Sequence, residues 1–190
     1  MTVIEIIAVV FSLACIVLAV KKHFLNWPVG IIGTAAYMVL FYREKLYADM
    51  MLQLVFISQG IYGWYNWTRK QQNTETIEVE HLSVTQRIYT LLFIAGFSTL
   101  WFLILYNYTD ASTPYVDALA ATISLTANWL MAKKRTDNWI LWILVDIIYI
   151  FLFYYKGLYL SSVTYTVFLI LSIKGFIDWN KKSDIKRDSY

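Results

Sequence analysis

Long apolar runs broken by short charged ones dominate this chain. The runs fall near 3–20, 28–42, 47–67, 88–106, 115–132, 139–155 and 159–178. A helix that crosses a bilayer needs about 17 to 25 such residues, so the pattern predicts seven spans and an all-α integral membrane protein. The second and sixth runs are short for an upright helix, and Pro28, Gly30 and Gly33 punctuate the second. Both are expected to tilt or to line a cavity. The polar stretch 68–87, with Glu75, Glu78 and Glu80, reads as a cytoplasmic linker, and 180–190 as a cytoplasmic tail.

The apolar pattern is written twice. Shifting the chain by 112 positions lays 138–182 on 26–70 without a gap: Asn26-Trp27 meet Asn138-Trp139, Tyr37 meets Tyr149, Leu46-Tyr47 meet Leu158-Tyr159, and Gly63 and Trp67 meet Gly175 and Trp179. Apolar matches are cheap in such a sequence, but these pairs in one register are not, and they predict an internal duplication. Residues 1–67 form a first three-helix repeat and 115–179 a second, with a connecting span at 88–106. An odd spacer makes the two triplets run in the same direction across the membrane, a 3+1+3 set of parallel repeats. In such transporters the substrate site lies near the midplane, between the repeats.

Composition sharpens this picture. The chain is 59% hydrophobic, with a mean hydropathy of +0.53 and a net charge of +3, values that exclude an ordinary soluble domain and do not suggest nucleic acid. Lys21, Lys22, Arg69, Lys70, Arg87, Lys133, Lys134, Arg135, Lys181, Lys182, Lys186 and Arg187 fall on one side; Arg43, Lys45 and Lys156 fall on the other. The positive-inside rule makes the rich side cytoplasmic, with the N-terminus outside and the C-terminus inside. The first run has Glu5 near its start and no basic leader before it, so it is expected to be a retained helix. The tryptophans near span ends, Trp27, Trp64, Trp67, Trp139 and Trp179 among them, read as an interfacial belt. The single cysteine, Cys15, excludes an intramolecular disulfide.

Polar residues within the spans carry the candidate chemistry, because an aspartate at a helix centre costs about 2.5 to 3.5 kcal/mol on insertion scales and must face the bundle interior. Asp146, seven residues into the sixth span, is the clearest case: an acceptor or counter-ion for a cationic or amino-bearing substrate, or an acid bonded to Tyr149. Its counterpart in the first repeat is Thr34. Gln53 and Gln59 lie six residues apart in the third span, about 120° around the helix, so they cannot both point squarely at one ligand. Gln53 shares a face with Phe56 and Gly60. Asn128 and Trp129 offer an amide and a stacking surface, although an amide can equally serve to join helices. Tyr37, Thr34, Asn26 and Asn138 are candidate gating or pathway residues.

LYADMMLQ at 46–53, IYGWYNW at 61–67 and NWILW at 138–142 resemble the PnuC family of bacterial vitamin transporters, and the likeness covers nearly the whole chain. The resemblance implies a 3+1+3 helix arrangement like that of the SWEET sugar transporters, location in the bacterial cytoplasmic (inner) membrane, and facilitated diffusion with the vitamin trapped by a cytoplasmic kinase. The family divides into nicotinamide riboside, thiamine and riboflavin branches. Gly60 and Asp146 stand where the nicotinamide riboside pattern tends to carry asparagine. Thiamine, with a thiazolium cation and an aminopyrimidine, suits an acid in helix six, and the thiamine branch is the expectation. Asp146 and Asn128 would then hold the polar edge with Gln53 opposite, Trp129 and Tyr149 would stack, and Tyr37 would close the path.

Other classes stay in view. An ion-coupled transporter would also place an acid mid-span, but His23 and His81 both lie in loops. A seven-helix retinal photoreceptor would use Lys174 as its Schiff-base lysine and Asp146 as counter-ion. No HExxH, GxSxG or paired-acid pattern points to an enzyme. No cofactor or metal is expected; the partners are the bilayer and a small vitamin, and a homo-oligomer is compatible with the sequence.

Overall fold

A computed structural model describes residues 3–43, 47–71, 79–109 and 113–187. They form seven helices: α1 (Val3–Val20), α2 (Asn26–Arg43), α3 (Tyr47–Gln71), α4 (Val84–Tyr108), α5 (Pro114–Ala132), α6 (Asn138–Tyr155) and α7 (Tyr159–Arg187). By length and composition α1, α4, α6 and the 159–181 part of α7 can each cross a membrane. Large apolar side chains such as Val10, Leu54, Leu91, Leu92, Leu103 and Ile170 are exposed on the outer surface. The interior holds Asn26, Thr122, Ser124, Thr126, Asn138, Asp146 and Ser172. An apolar exterior around a polar-seeded interior suits hydrocarbon as the solvent.

Local chemistry sets the helix ends. Ser83 caps α4 reciprocally with Gln86, its hydroxyl accepting from the Gln86 N–H while the Gln86 side chain accepts from the Ser83 N–H. Helices α1 and α5 end alike: Lys22 (φ 58°) and Lys134 (φ 59°) take the left-handed conformation. His23 N–H then donates to Leu18 and Arg135 N–H to Leu130, each at 2.9 Å, the closure of a Schellman turn. These two lysines are 112 residues apart, so the duplication reaches the backbone.

Helices α1, α2, α3, α5, α6 and α7 close a ring in which each touches its neighbours, α3 meeting α5 and α7 meeting α1; α4 lies outside, against α5 alone. The 112-residue shift maps each pair of touching helices within the ring onto another such pair, α1–α2 onto α5–α6, α2–α3 onto α6–α7 and α3–α5 onto α7–α1. Between α3 and α4, residues 79–83 fasten to the loop between α5 and α6. Glu80 exchanges backbone hydrogen bonds with Lys134 and Thr136, Arg135 pairs with Glu80, and Asp137 accepts from the Leu82 N–H at 2.8 Å and from Arg87 at 2.9 Å.

Several boundaries differ from those expected. Helix α3 continues through Gln71 and α4 begins at Val84, which shortens the polar linker from both sides; the polar tail continues α7 as helix to Arg187. Capping and backbone hydrogen bonds carry helices past the apolar windows that locate spans. Glu75, Glu78 and Lys45 lie outside the described residues.

Candidate functional site

At the end of the ring that bears most of the basic residues, four tryptophans meet. Trp27 and Trp67 cross edge-to-face at 5.5 Å, Trp139 and Trp179 at 5.4 Å, and Trp67 and Trp179 join the pairs at 6.1 Å. All four are at most 4% exposed. This corrects the interfacial-belt expectation for Trp27, Trp67, Trp139 and Trp179; Trp64 and Trp129, about two-fifths exposed, remain at the surface. The physical reason is a glycine in each repeat. A Cβ on Gly63 would lie 2.5 Å from the Trp27 ring and one on Gly175 2.6 Å from Trp139, so only glycine lets each indole lie flat against the third helix of its repeat.

The third helices are also tied across the repeats. Trp67 donates its indole N–H to the Met131 carbonyl at the end of α5, and Trp179 donates to Ala19 and Val20 at the end of α1, all at 3.2 Å. Asn66 adds a bond to the Ala132 carbonyl. These donors satisfy the open carbonyls of helix C-termini. Around the cluster, Nε1 of Trp27, Trp139 and Trp142, Oδ1 of Asn26 and Asn138, and the Thr136 hydroxyl are buried without a hydrogen-bond partner among the described residues. A buried unpaired polar group costs about 1 to 3 kcal/mol, so such a concentration at one place calls for an explanation.

Along α6, Trp139, Trp142, Asp146, Tyr149 and Phe153 recur at helical spacing and share one face. Asp146, 2% exposed, accepts a 2.9 Å hydrogen bond from Ser172 of α7. Trp142, one turn before it, bridges the tryptophan cluster and the apolar layer of Ala127, Leu141 and Val145. On the other side of Asp146, Tyr149 stacks on Phe153 at 5.5 Å and meets Tyr165 at 4.8 Å. Phe153 also stacks on Tyr165, at 5.3 Å. An acid, a hydroxyl, indole N–H groups and a wall of rings thus lie along one column, able to accept hydrogen bonds, balance one positive charge and stack a flat heterocycle.

Asp146 and Tyr149 therefore lie on one face of α6, while Tyr37 stacks on Phe41 along α2. Gln59, Asn128 and Trp129 gather elsewhere. Asn128 donates to the Gln59 side chain at 2.9 Å, and Gln59 donates to the Leu125 carbonyl. Trp129 stacks on Tyr62 at 5.0 Å, beneath the Lys133 ammonium, on the outer side of α5. Gln53 is half-buried on α3 and Thr34 half-buried on α2, while Gly60 packs on Ile31. Asn26 and Asn138 are buried beside the tryptophans. Ser172, Trp142 and Tyr165 escaped the sequence reading. Trp142 could have been found, lying one turn from Asp146 within NWILW.

A ring of helices with an apolar exterior, a buried acid and an aromatic column is the architecture of a small-molecule membrane transporter. The profile of the family described as nicotinamide mononucleotide transporters matches residues 2–181; the chain belongs to this family, that of the PnuC proteins. The Nicotinamide riboside transporter PnuC of Escherichia coli (strain K12) is 24% identical over 93% of this chain and 84% of its own length. The Riboflavin/roseoflavin transporter RibM of Streptomyces davaonensis is 24% identical over 97% of this chain and 87% of its own. Among solved structures, the crystal structure of the vitamin B3 transporter PnuC superposes with a TM-score of 0.74 at 27% identity, covering 92% of this chain and 79% of that one.

The family is one of bacterial inner-membrane vitamin transporters, not enzymes. Membership removes the photoreceptor alternative, and Lys174, its proposed Schiff-base residue, is exposed while Asp146 pairs with Ser172. The thiamine expectation finds no support in these relatives, which are named for nicotinamide riboside and riboflavin.

Proposed function

We propose that this protein carries nicotinamide riboside, or a vitamin of the same cationic aromatic class, into the cell by facilitated diffusion between two parallel three-helix repeats. The observation that carries the reading is the buried Asp146–Ser172 pair beside the unpartnered indole of Trp142. The Asp146 carboxylate in a low-dielectric interior matches a pyridinium charge or accepts from a ribose diol, and the indole and tyrosine rings offer stacking faces. Unpartnered Nε1 atoms of Trp139 and Trp142 and Oδ1 of Asn138 suit the carboxamide and sugar hydroxyls. The name of the Escherichia coli relative supports the substrate class.

In this reading the tryptophan cluster closes the cytoplasmic end, the N-terminus is outside and the C-terminus inside. The two triplets rock about the midplane, and phosphorylation by a cytoplasmic kinase retains the vitamin. Thiamine is the second reading, favoured by one residue: Asp146, an acid where the nicotinamide riboside pattern tends to have an amide. Calorimetric titration of the purified protein with nicotinamide riboside, thiamine and riboflavin separately is the test. Binding of nicotinamide riboside, with weak response to uncharged riboflavin, is expected. Binding of thiamine alone selects the second reading, and riboflavin alone refutes the counter-ion role of Asp146.

A further inference from the structure

Outside the ring, α3, α4 and α5 enclose an open groove of about 760 Å³ that plays no part in the column around Asp146. Its walls include Val55, Phe93, Phe97 and Leu125, with Gln59 and Thr126 among them, and one end is polar, with Gln86, Lys133 and Arg135. A second hollow of about 240 Å³, apolar apart from Thr122, shares Val55, Phe97 and Leu125 with it and extends it toward Trp101 and Met51. The α4 lining runs from Gln86 to Phe97, about 17 Å at the helical rise. That matches one leaflet, half of the roughly 30 Å hydrocarbon core.

Among the described residues that line the polar end, one cation has no carboxylate partner. Arg135 pairs with Glu80, and Arg87 with Asp137. The Lys133 ammonium lies 4.8 Å over the Tyr62 ring and 4.9 Å over Trp129, without a carboxylate partner among the described residues. Lys133 corresponds to Lys21 in the first repeat, but among the described residues α1 meets only α2 and α7, so no helix stands beside it as α4 stands beside α5. We propose that this groove holds one anionic glycerophospholipid of the adjoining leaflet. Its phosphodiester sits on Lys133 and Gln86, and an acyl chain runs along Leu125, Phe93 and Phe97 toward Trp101. The Lys133 ammonium fits a singly charged phosphodiester, and the apolar depth fits its chain.

The test is native mass spectrometry of the full chain in detergent, titrated with dioleoylphosphatidylglycerol and, separately, zwitterionic dioleoylphosphatidylcholine. One phosphatidylglycerol adduct per chain is expected, weakened about fivefold by Lys133→Gln and unchanged by Lys21→Gln. Leu125→Trp, which fills the groove, should abolish the adduct and carries the test if the lysine variant fails to fold. Equal effects of the two lysine variants, equal binding of the two lipids, or a lipid-insensitive dimer closing the groove with a second copy would each overturn the proposal.

Discussion

The two triplets agree at their basic ends and part company in mid-span. Trp27 on Gly63 repeats as Trp139 on Gly175, Lys22 repeats as Lys134 in the left-handed conformation, and Trp67 binds α5 as Trp179 binds α1. One turn or two deeper, Thr34 stands for Asp146, Gly60 for Ser172 and Gly30 for Trp142. Closure by symmetry-related halves needs the same hardware on both sides, whereas recognition of an asymmetric solute does not. Under the proposed function, the shared end is the closure, and the divergent middle of the second repeat is the place where the vitamin is read.

The sharpest way to break this comparison is to exchange the divergent residues. Asp146→Ala should weaken vitamin binding about 100-fold, the loss of a buried hydrogen-bonded charge, while Thr34→Ala changes it less than about threefold; calorimetry on both variants checks the contrast. At the shared end the two repeats should suffer alike. Gly63→Ala and Gly175→Ala each force a methyl into an indole and are expected to lower stability by about 2 kcal/mol, read from thermal unfolding in detergent. A large difference between them would deny the equivalence of the two ends.

Smaller effects sharpen the same contrast. Asp137 replaces Leu25 of the first repeat and fastens the 79–83 segment through Leu82 and Arg87. Asp137→Asn should therefore destabilise the fold by about 1.5 kcal/mol, with vitamin affinity per folded molecule unchanged. Ser172→Ala removes only the neutral donor to Asp146 and should cost about 1 kcal/mol of binding, roughly fivefold, with unfolding temperature little altered.

Much of this was legible before any coordinates. Period, run length and charge placement located the helices, and the ungapped repeat forecast paired features that reappear as paired contacts. Asp146 stood out because an acid in an apolar run has so few places to go. Its partner Ser172 did not, because a serine in a span is unremarkable until α6–α7 packing brings it within 2.9 Å. Sequence relates Asn128 and Trp129 to Asp146 only as polar or aromatic residues within spans, which carries no information about which side of α5 faces the ring. The position of a tryptophan is equally silent, because an indole at a span end can face headgroups or its own bundle. Here the glycine 36 residues after Trp27, and again after Trp139, held the missing signal, since a large residue and a glycine at one repeated separation mark a close contact.

The measurement that bears most directly on the central claim is a calorimetric titration of wild-type protein and Asp146→Asn with nicotinamide riboside and with its uncharged dihydro form. Wild type should prefer the cation, and Asp146→Asn should erase that preference while still binding. An unchanged preference in Asp146→Asn would contradict the assignment of recognition to the acid of the second repeat.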